Sequence, residues 1–302
     1  MPATPLGRAE QFVWLTARVL EQRRFAFHFL DGDGDGDAVE TALDAYRNDD
    51  AGYGHALEPD LRGPVSQPLH VAYALRVLDE IDRCRGGRAE RICRYLTACS
   101  TAEGALPAVD ASLRGYPYAP WMRISDDPPG DLLATGPVVG LLRRNEVWHA
   151  WLFRSTDFCW AAIDALDRTH PYEVLASLAF LASAQDRPRA QGAVERLGRL
   201  VREQGLALLE PERAGRVAPP TGYAPGEHHF AHDFAPSPDS AARSWFTDTE
   251  MERSLDHLAG QQGDDGGWPI TWREWAPGSA LEGRPMVTIE ALRTLRAYGR
   301  LG

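Results

Sequence analysis

An acidic, glycine-rich turn that ends in an aromatic residue occurs near both ends of this chain, and an apolar helix pattern follows each copy. Near the C-terminus Gln261-Gln262-Gly263-Asp264-Asp265-Gly266-Gly267-Trp268-Pro269 precedes Thr288-Ile289-Glu290-Ala291-Leu292-Arg293-Thr294-Leu295. Near the N-terminus Tyr46-Arg47-Asn48-Asp49-Asp50-Ala51-Gly52-Tyr53-Gly54 precedes Ser66-Gln67-Pro68 and then Val71-Ala72-Tyr73-Ala74-Leu75-Arg76-Val77-Leu78. An internal repeat constrains architecture strongly, because each unit buries its apolar face only against the next. Turn points fall near Gly52, Gly104, Ser155, Gly205 and Gly266. Their spacing of roughly 50–60 residues leaves room for one helix pair each.

Helical periodicity fills the intervals. Apolar residues at Phe12, Val13, Leu15, Val19, Leu20, Phe25, Phe27 and Phe29 predict one amphipathic helix over residues 10–29. Further helices are expected near 38–47, after Pro68, over 88–99, 132–143 and 174–184, over 189–204, near 238–246, over 248–261 and near 285–298. Residues 146–167 read as one helix or as two with a break near Ser155. Residues 108–127 and 210–236 read as long loops. Strand signals are nearly absent. The expectation is an all-α fold, an α/α toroid of about five to six inner and outer helix pairs, with residues 1–302 forming a single domain.

Composition narrows the function classes. The formal net charge is -11, which disfavours nucleic acid as a partner. No run of 18 apolar residues is present, so no spanning helix is expected. Met1-Pro2-Ala3-Thr4-Pro5 lacks the basic and apolar regions of a secretory signal, so the cytoplasm is the expected compartment. All 32 basic residues are arginine, as in proteins of GC-rich bacteria, which excludes a lysine Schiff base and a phosphate-loop lysine. Cys84, Cys93, Cys99 and Cys159 form no C-x-x-C pair and read as reduced structural thiols.

Gln262-x-x-Asp265-Gly266-Gly267-Trp268 followed by an Ala-Leu-x-x-Leu helix resembles the QW repeat of squalene–hopene cyclases and related prenyltransferase-fold proteins. Asn48-Asp49-Asp50-Ala51-Gly52-Tyr53-Gly54 resembles a second copy. In this motif Gln is expected to cap an outer helix end, glycine to permit the reversal, and the aromatic to pack on the next helix. The resemblance implies the toroid and an isoprenoid substrate. The D-x-D-D acid of class II cyclases has no match, and neither has the Asp/Cys/His zinc site of protein prenyltransferases.

Several clusters offer chemistry. Glu58-Pro59-Asp60-Leu61-Arg62 lies between the first turn and its helix, where two carboxylates and an arginine can serve acid chemistry or hold a polar head group. Asp31 to Asp37 matches half a calcium loop, but position twelve is Ala42, which points to a polar loop. Asp126-Asp127-x-x-x-Asp131 reads as an acidic loop and helix N-cap. Glu227-His228-His229-x-x-His232-Asp233 is the densest set of metal-type ligands, although its flanking Pro and Gly favour a polar loop. Aromatic rings stabilise cations, and Tyr118, Trp121, Trp148, Phe230 and Trp272, with His228, are the expected substrate-binding residues.

The leading expectation is a terpene cyclase-like enzyme, an isomerase or lyase, that starts carbocation chemistry on an isoprenoid from Glu58 or Asp60, with Arg62 as orienting group. No cofactor is required; magnesium enters only with a diphosphate substrate. The partner is a hydrophobic small molecule, and peripheral contact with a membrane is compatible with it. A non-catalytic lipid- or protein-binding toroid and a carbohydrate-active (α/α) barrel are the alternatives.

Overall fold

The computed structural model describes residues 4–30 and 35–301. Among the described residues the chain forms twelve α-helices and three short 3-10 turns, with isolated bridges but no strand. The α-helices are α1 (Pro5–Thr16), α2 (Val19–Phe29), α3 (Gly36–Asp44), α4 (Pro68–Glu80), α5 (Gly86–Cys99), α6 (Leu132–Arg144), α7 (Trp151–Asp164), α8 (Pro171–Leu181), α9 (Arg187–Glu203), α10 (Ala231–Phe234), α11 (Asp248–Gly260) and α12 (Pro277–Ala297). Among those residues no helix is long and apolar enough to cross a membrane. The chain divides into two compact units: Met1–Asp35 with Gly198–Gly302, and Gly36–Leu197.

In the second unit α4, α6 and α8 lie side by side as one layer, with α3, α5 and α7 packed against it. The first layer runs parallel. Gly136 and Gly140 of α6 approach the backbone of Ala176 and Ala179 of α8 in the same order, so closely that a Cβ at Gly140 would sit 2.2 Å from the Ala179 carbonyl oxygen. At the far ends of α4 and α6, Asn145 Nδ2 donates to Asp79 Oδ1 over 2.7 Å. Helix α6 is buried nearly all round, as an interior helix must be, whereas α5 buries one stripe.

The glycine turns share one hydrogen-bond pattern. The N–H of Asn48, Thr101 and Gly263 donates to the carbonyl four residues on, and the N–H of Ala51, Gly104 and Gly266 donates back to those first residues. Ala51, Gly104 and Gly266 all have positive φ. Each turn seats on a helix: Gly52 against Tyr95 of α5, Gly104 against Arg154 and Ser155 of α7, Gly266 against Arg8 of α1. Glycine is required at Gly266, where a Cβ would lie 2.2 Å from the Arg8 carbonyl oxygen.

In the first unit Trp268 is buried with Phe12, Phe25, Ile289 and Leu292. Its Nε1 donates to the Leu258 carbonyl over 2.7 Å and so satisfies the last turn of α11. Gln262 does something other than cap α11: its amide donates to the carbonyls of Pro5 and Gly266, and its oxygen accepts from Arg8, which fastens the turn to α1.

Other expectations are corrected by side-chain ties. The single helix over 10–29 is two, because Gln22 caps the Ala17 carbonyl and Arg18 grips Glu21 through two 2.9 Å bonds. Ser155 is no break: it lies buried within α7, and its hydroxyl donates to the Gly104 carbonyl over 2.7 Å. The helix near 238–246 is only a 3-10 turn, Ala241–Trp245. Helix α12 begins at Pro277 and carries Pro285 inside it. Helix α10 interrupts the expected 210–236 loop. Residues 31–34 of the Asp-Gly run lie outside the described residues.

The residue after each turn supplies a test. The buried Leu106 N–H donates to Thr135 Oγ1 of α6 over 2.8 Å, and the Trp268 N–H donates to Thr288 Oγ1 of α12 over 2.9 Å. Thr135→Val and Thr288→Val keep shape and orphan the donor, so each should cost about 1–3 kcal/mol in urea unfolding. A loss at one position and none at the other would show that the turns are not equivalent.

Candidate functional site

After the first turn the backbone coils tightly, with His55 and Ala56 at positive φ, and then lies extended just ahead of α4. Residues 60–62 pair there with residues 117–119: the Arg62 N–H donates to the Pro117 carbonyl over 3.0 Å, the Ala119 N–H donates to the Asp60 carbonyl over 2.9 Å, and Leu61 bridges Tyr118. Leu61 is buried with Val109 and Leu113, and Tyr118 packs on that cluster. Asp60 lies in a turn that the Leu61 N–H closes onto the Glu58 carbonyl over 3.1 Å, and Arg62 follows the buried Leu61. Asp60 and Arg62 are half-buried, as is Glu58. The Glu58 N–H donates to Nδ1 of the fully buried His70 of α4 over 2.9 Å, so that nitrogen is an acceptor. Trp121 lies three residues beyond Tyr118 in the same loop, 41% exposed. Glu58, Asp60, Arg62 and Tyr118 therefore gather at the N-terminal end of α4.

Trp148 does not join them. It follows the C-terminal end of α6 and lines a shallow depression of about 260 Å³ with Arg85, Gly86, Glu90, Asn145, Glu146 and Val147. Helix α4 has 13 residues, so about 20 Å of helix separates its two ends. The indole is 71% exposed there.

Asp131 reads in the sequence as a helix N-cap only, and nothing in the sequence singles out Glu173. Asp131 caps α6, accepting the Leu133 N–H over 2.7 Å. Glu173, in the first turn of α8, accepts the His170 N–H over 2.9 Å and the Thr169 hydroxyl over 3.1 Å. Since α4, α6 and α8 run parallel, these carboxylates lie at the same end of the layer as Glu58. Burial pushes the Asp131 carboxyl above the usual range against the pull of the Leu133 N–H, and the Glu173 charge adds to the rise.

The remaining candidates lie in the first unit. His228 is buried, with Nε2 3.2 Å from the Ala214 carbonyl oxygen. Phe230 is buried between two imidazoles, its ring centroid 5.8 Å from that of His232 and 4.5 Å from that of His257. Trp272 is half-buried against Gly283 of α12. The histidine run turns to separate partners: His228 to Ala214, His229 to Tyr223 at 2.9 Å, and His232 to Ser254 at 2.7 Å. Among the described residues no group of three or more His, Cys, Asp or Glu is arranged to hold a metal ion. Ser254, His232 and Asp233 do not make a nucleophilic triad. The Ser254 hydroxyl is buried and also accepts the His232 N–H at 3.1 Å, while Asp233 Oδ2 accepts the Phe230 N–H. The four thiols lie at about 12, pushed up by burial where Cys84, Cys93 and Cys159 are fully enclosed and Cys99 partly so, which makes them poor nucleophiles.

No protein-family model and no curated protein sequence matches the chain. Solved structures do. A protein from Actinoplanes matches at TM-score 0.53 and 15% identity, over 97% of this chain and 89% of that one. The type II terpene cyclase MstE from Scytonema, without ligand, matches at TM-score 0.57 and 12% identity, over 97% of this chain and 88% of that one. A variant of MstE in complex with its substrate, geranylgeranyl dihydroxybenzoate, matches at TM-score 0.53 and 10% identity, over 98% and 88%. These likenesses show the fold.

Asp131 allows a clean test of burial. Asparagine caps a helix about as well as aspartate. A carboxyl raised in the folded state loses stability as pH rises above its unfolded value of about 3.9, the cost is complete above its folded value, and it is absent at low pH. Asp131→Asn should thus be at least as stable as the parent at pH 7, with the difference vanishing near pH 3, whereas Asp131→Ala should lose about 1 kcal/mol of cap. A loss above 1 kcal/mol in the Asn variant at pH 7, read by urea unfolding, would refute the assignment.

Proposed function

We propose that the protein is a terpene cyclase-like enzyme that acts on an isoprenoid chain and starts carbocation chemistry with a carboxylic acid. The observation that carries this reading is a likeness to type II terpene cyclase structures over 94–98% of the chain. The carboxylates at the N-terminal ends of α4, α6 and α8, with Tyr118 beside the first of them, support it.

The chemistry balances without a cofactor. The O–H bond of a carboxylic acid breaks, the alkene π pair forms a C–H bond, and the cation closes on a second alkene. Loss of a proton or capture of water ends the sequence, and solvent restores the acid. Glu58 and Asp60 are the proposed acids and Arg62 the group that orients one of them. Ring faces of Tyr118 and Trp121 would stabilise positive charge. A diphosphate substrate would bring magnesium with it. An apolar substrate would be drawn from a membrane surface, which is the proposed peripheral contact.

Purified protein incubated with farnesyl and geranylgeranyl diphosphates, squalene and geranylgeranyl dihydroxybenzoate, each with magnesium or with EDTA, should yield a cyclic product by gas chromatography–mass spectrometry. Persistence in EDTA supports protonation over metal-assisted ionisation. Glu58→Gln with Asp60→Asn should lower turnover at least 100-fold. Intact turnover in the double variant would move the acid elsewhere, with Asp131 the next to substitute. No product from any substrate would favour a binding role.

A further inference from the structure

The first unit holds a cluster of imidazoles that the proposed reaction does not use. His228, His229 and His232 are buried, and His257 of α11 stands half-buried beside them. The segment 209–230 ends on this cluster. Among its ties are the Leu208 N–H to the His229 carbonyl at 2.7 Å, His228 to the Ala214 carbonyl, His229 to the Tyr223 hydroxyl, and the Phe230 N–H to Asp233. Two parts of it meet α11, the 3-10 turn Pro211–Arg213 and its last residue, Phe230. The Phe230 ring lies parallel to His232, with an interplanar angle of 8°, and tilted against His257 at 4.5 Å.

Phe230 touches both imidazoles, and the charge of His232 acts on His257. The groups facing them are Asp233 of α10, 3.7 Å from His232 Nε2, Glu212 of the 3-10 turn Pro211–Arg213, and Ser254 and Gln261. Asp233 is partly engaged by the Phe230 N–H, and Glu212 is exposed to solvent. Two neutral rings can be packed against a buried phenylalanine at little cost. An imidazolium at His257 is repelled by the charge of His232 and loses hydration there.

We propose that His232, Phe230 and His257 form an acid-sensitive clasp, which helps to hold segment 209–230 on α11 while His257 is neutral and loosens it when His257 takes a proton. The direction of the response is fixed by the surroundings. Burial, then the charge of His232, holds His257 below the ordinary imidazole range, while Asp233 and Glu212 oppose the shift. A histidine lowered in the folded state is fully stabilising above about pH 6.5, its unfolded value, and loses that contribution as pH falls toward its folded value. Loosening is therefore driven by acid. It requires only solvent protons and reverses on neutralisation.

Hydrogen exchange read by mass spectrometry, corrected for the intrinsic rate at each pH, tests the clasp on the whole protein. Protection of residues 209–230 should fall about tenfold between pH 7.5 and 5.5, the equivalent of one pKa unit of coupling. In His257→Gln the protection should change less than about twofold over the same range. Glu212→Gln removes an exposed anion that favours protonation, so its loosening midpoint should move to lower pH. Equal protection of the parent at both values, the parent's full loss in His257→Gln, or a rise of the midpoint in Glu212→Gln would each overturn the clasp. Glu212→Gln also keeps the test decisive if His257→Gln does not fold.

Discussion

A buried backbone N–H must find an acceptor, and at the end of each well-formed glycine turn that need sets the register of a helix. Leu106 and Trp268 occupy equivalent places after Gly104 and Gly266, and each donates to a threonine on the helix that follows. The threonine position fixes how far that helix slides along the turn. Once the register is set, the turn backbone presses on a neighbouring helix so closely that a side chain has no room at Gly266. Trp268 then satisfies the last carbonyls of α11 with its ring nitrogen, and its faces fill the space between α1 and α12. Glycine, threonine and tryptophan thus answer one packing problem together at the third turn, and glycine and threonine recur at the second with Leu106 in the place of the ring.

The parts of this arrangement that need an unusual backbone were legible in the sequence. A residue at positive φ favours glycine, and an apolar helix starting at Pro68 or Pro171 carries its own signal. Ser155 was misread because serine marks both breaks and helix contacts; here its hydroxyl receives the Gly104 turn on the face of α7. The corner between α1 and α2 left no trace in the periodicity, since it is made by Gln22 and by the Arg18–Glu21 pair and not by glycine or proline. Gly136 and Gly140, spaced one turn apart, did carry a signal for the close approach of α6 to α8, which the periodic reading passed over.

The site was legible to a similar degree. That Glu58, Asp60 and Arg62 stand at the start of α4 follows from chain order. Their pairing with residues 117–119 does not, because an isolated bridge is too short to show alternation. Aromatic content alone pointed to Trp148, but rings serve surfaces as readily as cavities, and only the ends of α4 and α6 separate the two. Asp131 was visible as a cap and nothing more; its burial is a property of the packed layer.

That layer also explains why the polar chemistry of the second unit collects at one end. Parallel helices α4, α6 and α8 bring their N-termini together, each equivalent to about half a positive charge, and carboxylates are drawn to such a place. Arg143 and Arg144 occupy the last turn of α6 at the other end, as the same rule requires. Asp131 moves up all the same, because desolvation, with the Glu173 charge, outweighs the Leu133 N–H. Elsewhere the chain does the opposite. Arg88 holds Asp44 low, Arg202 holds Glu250 at about 2, and Arg284 holds Asp265 low, and all three work as fixed anions that tie elements together. The carboxyls are thereby sorted by their neighbours, arginine for those that brace the fold, and partial burial next to another carboxylate for Asp131.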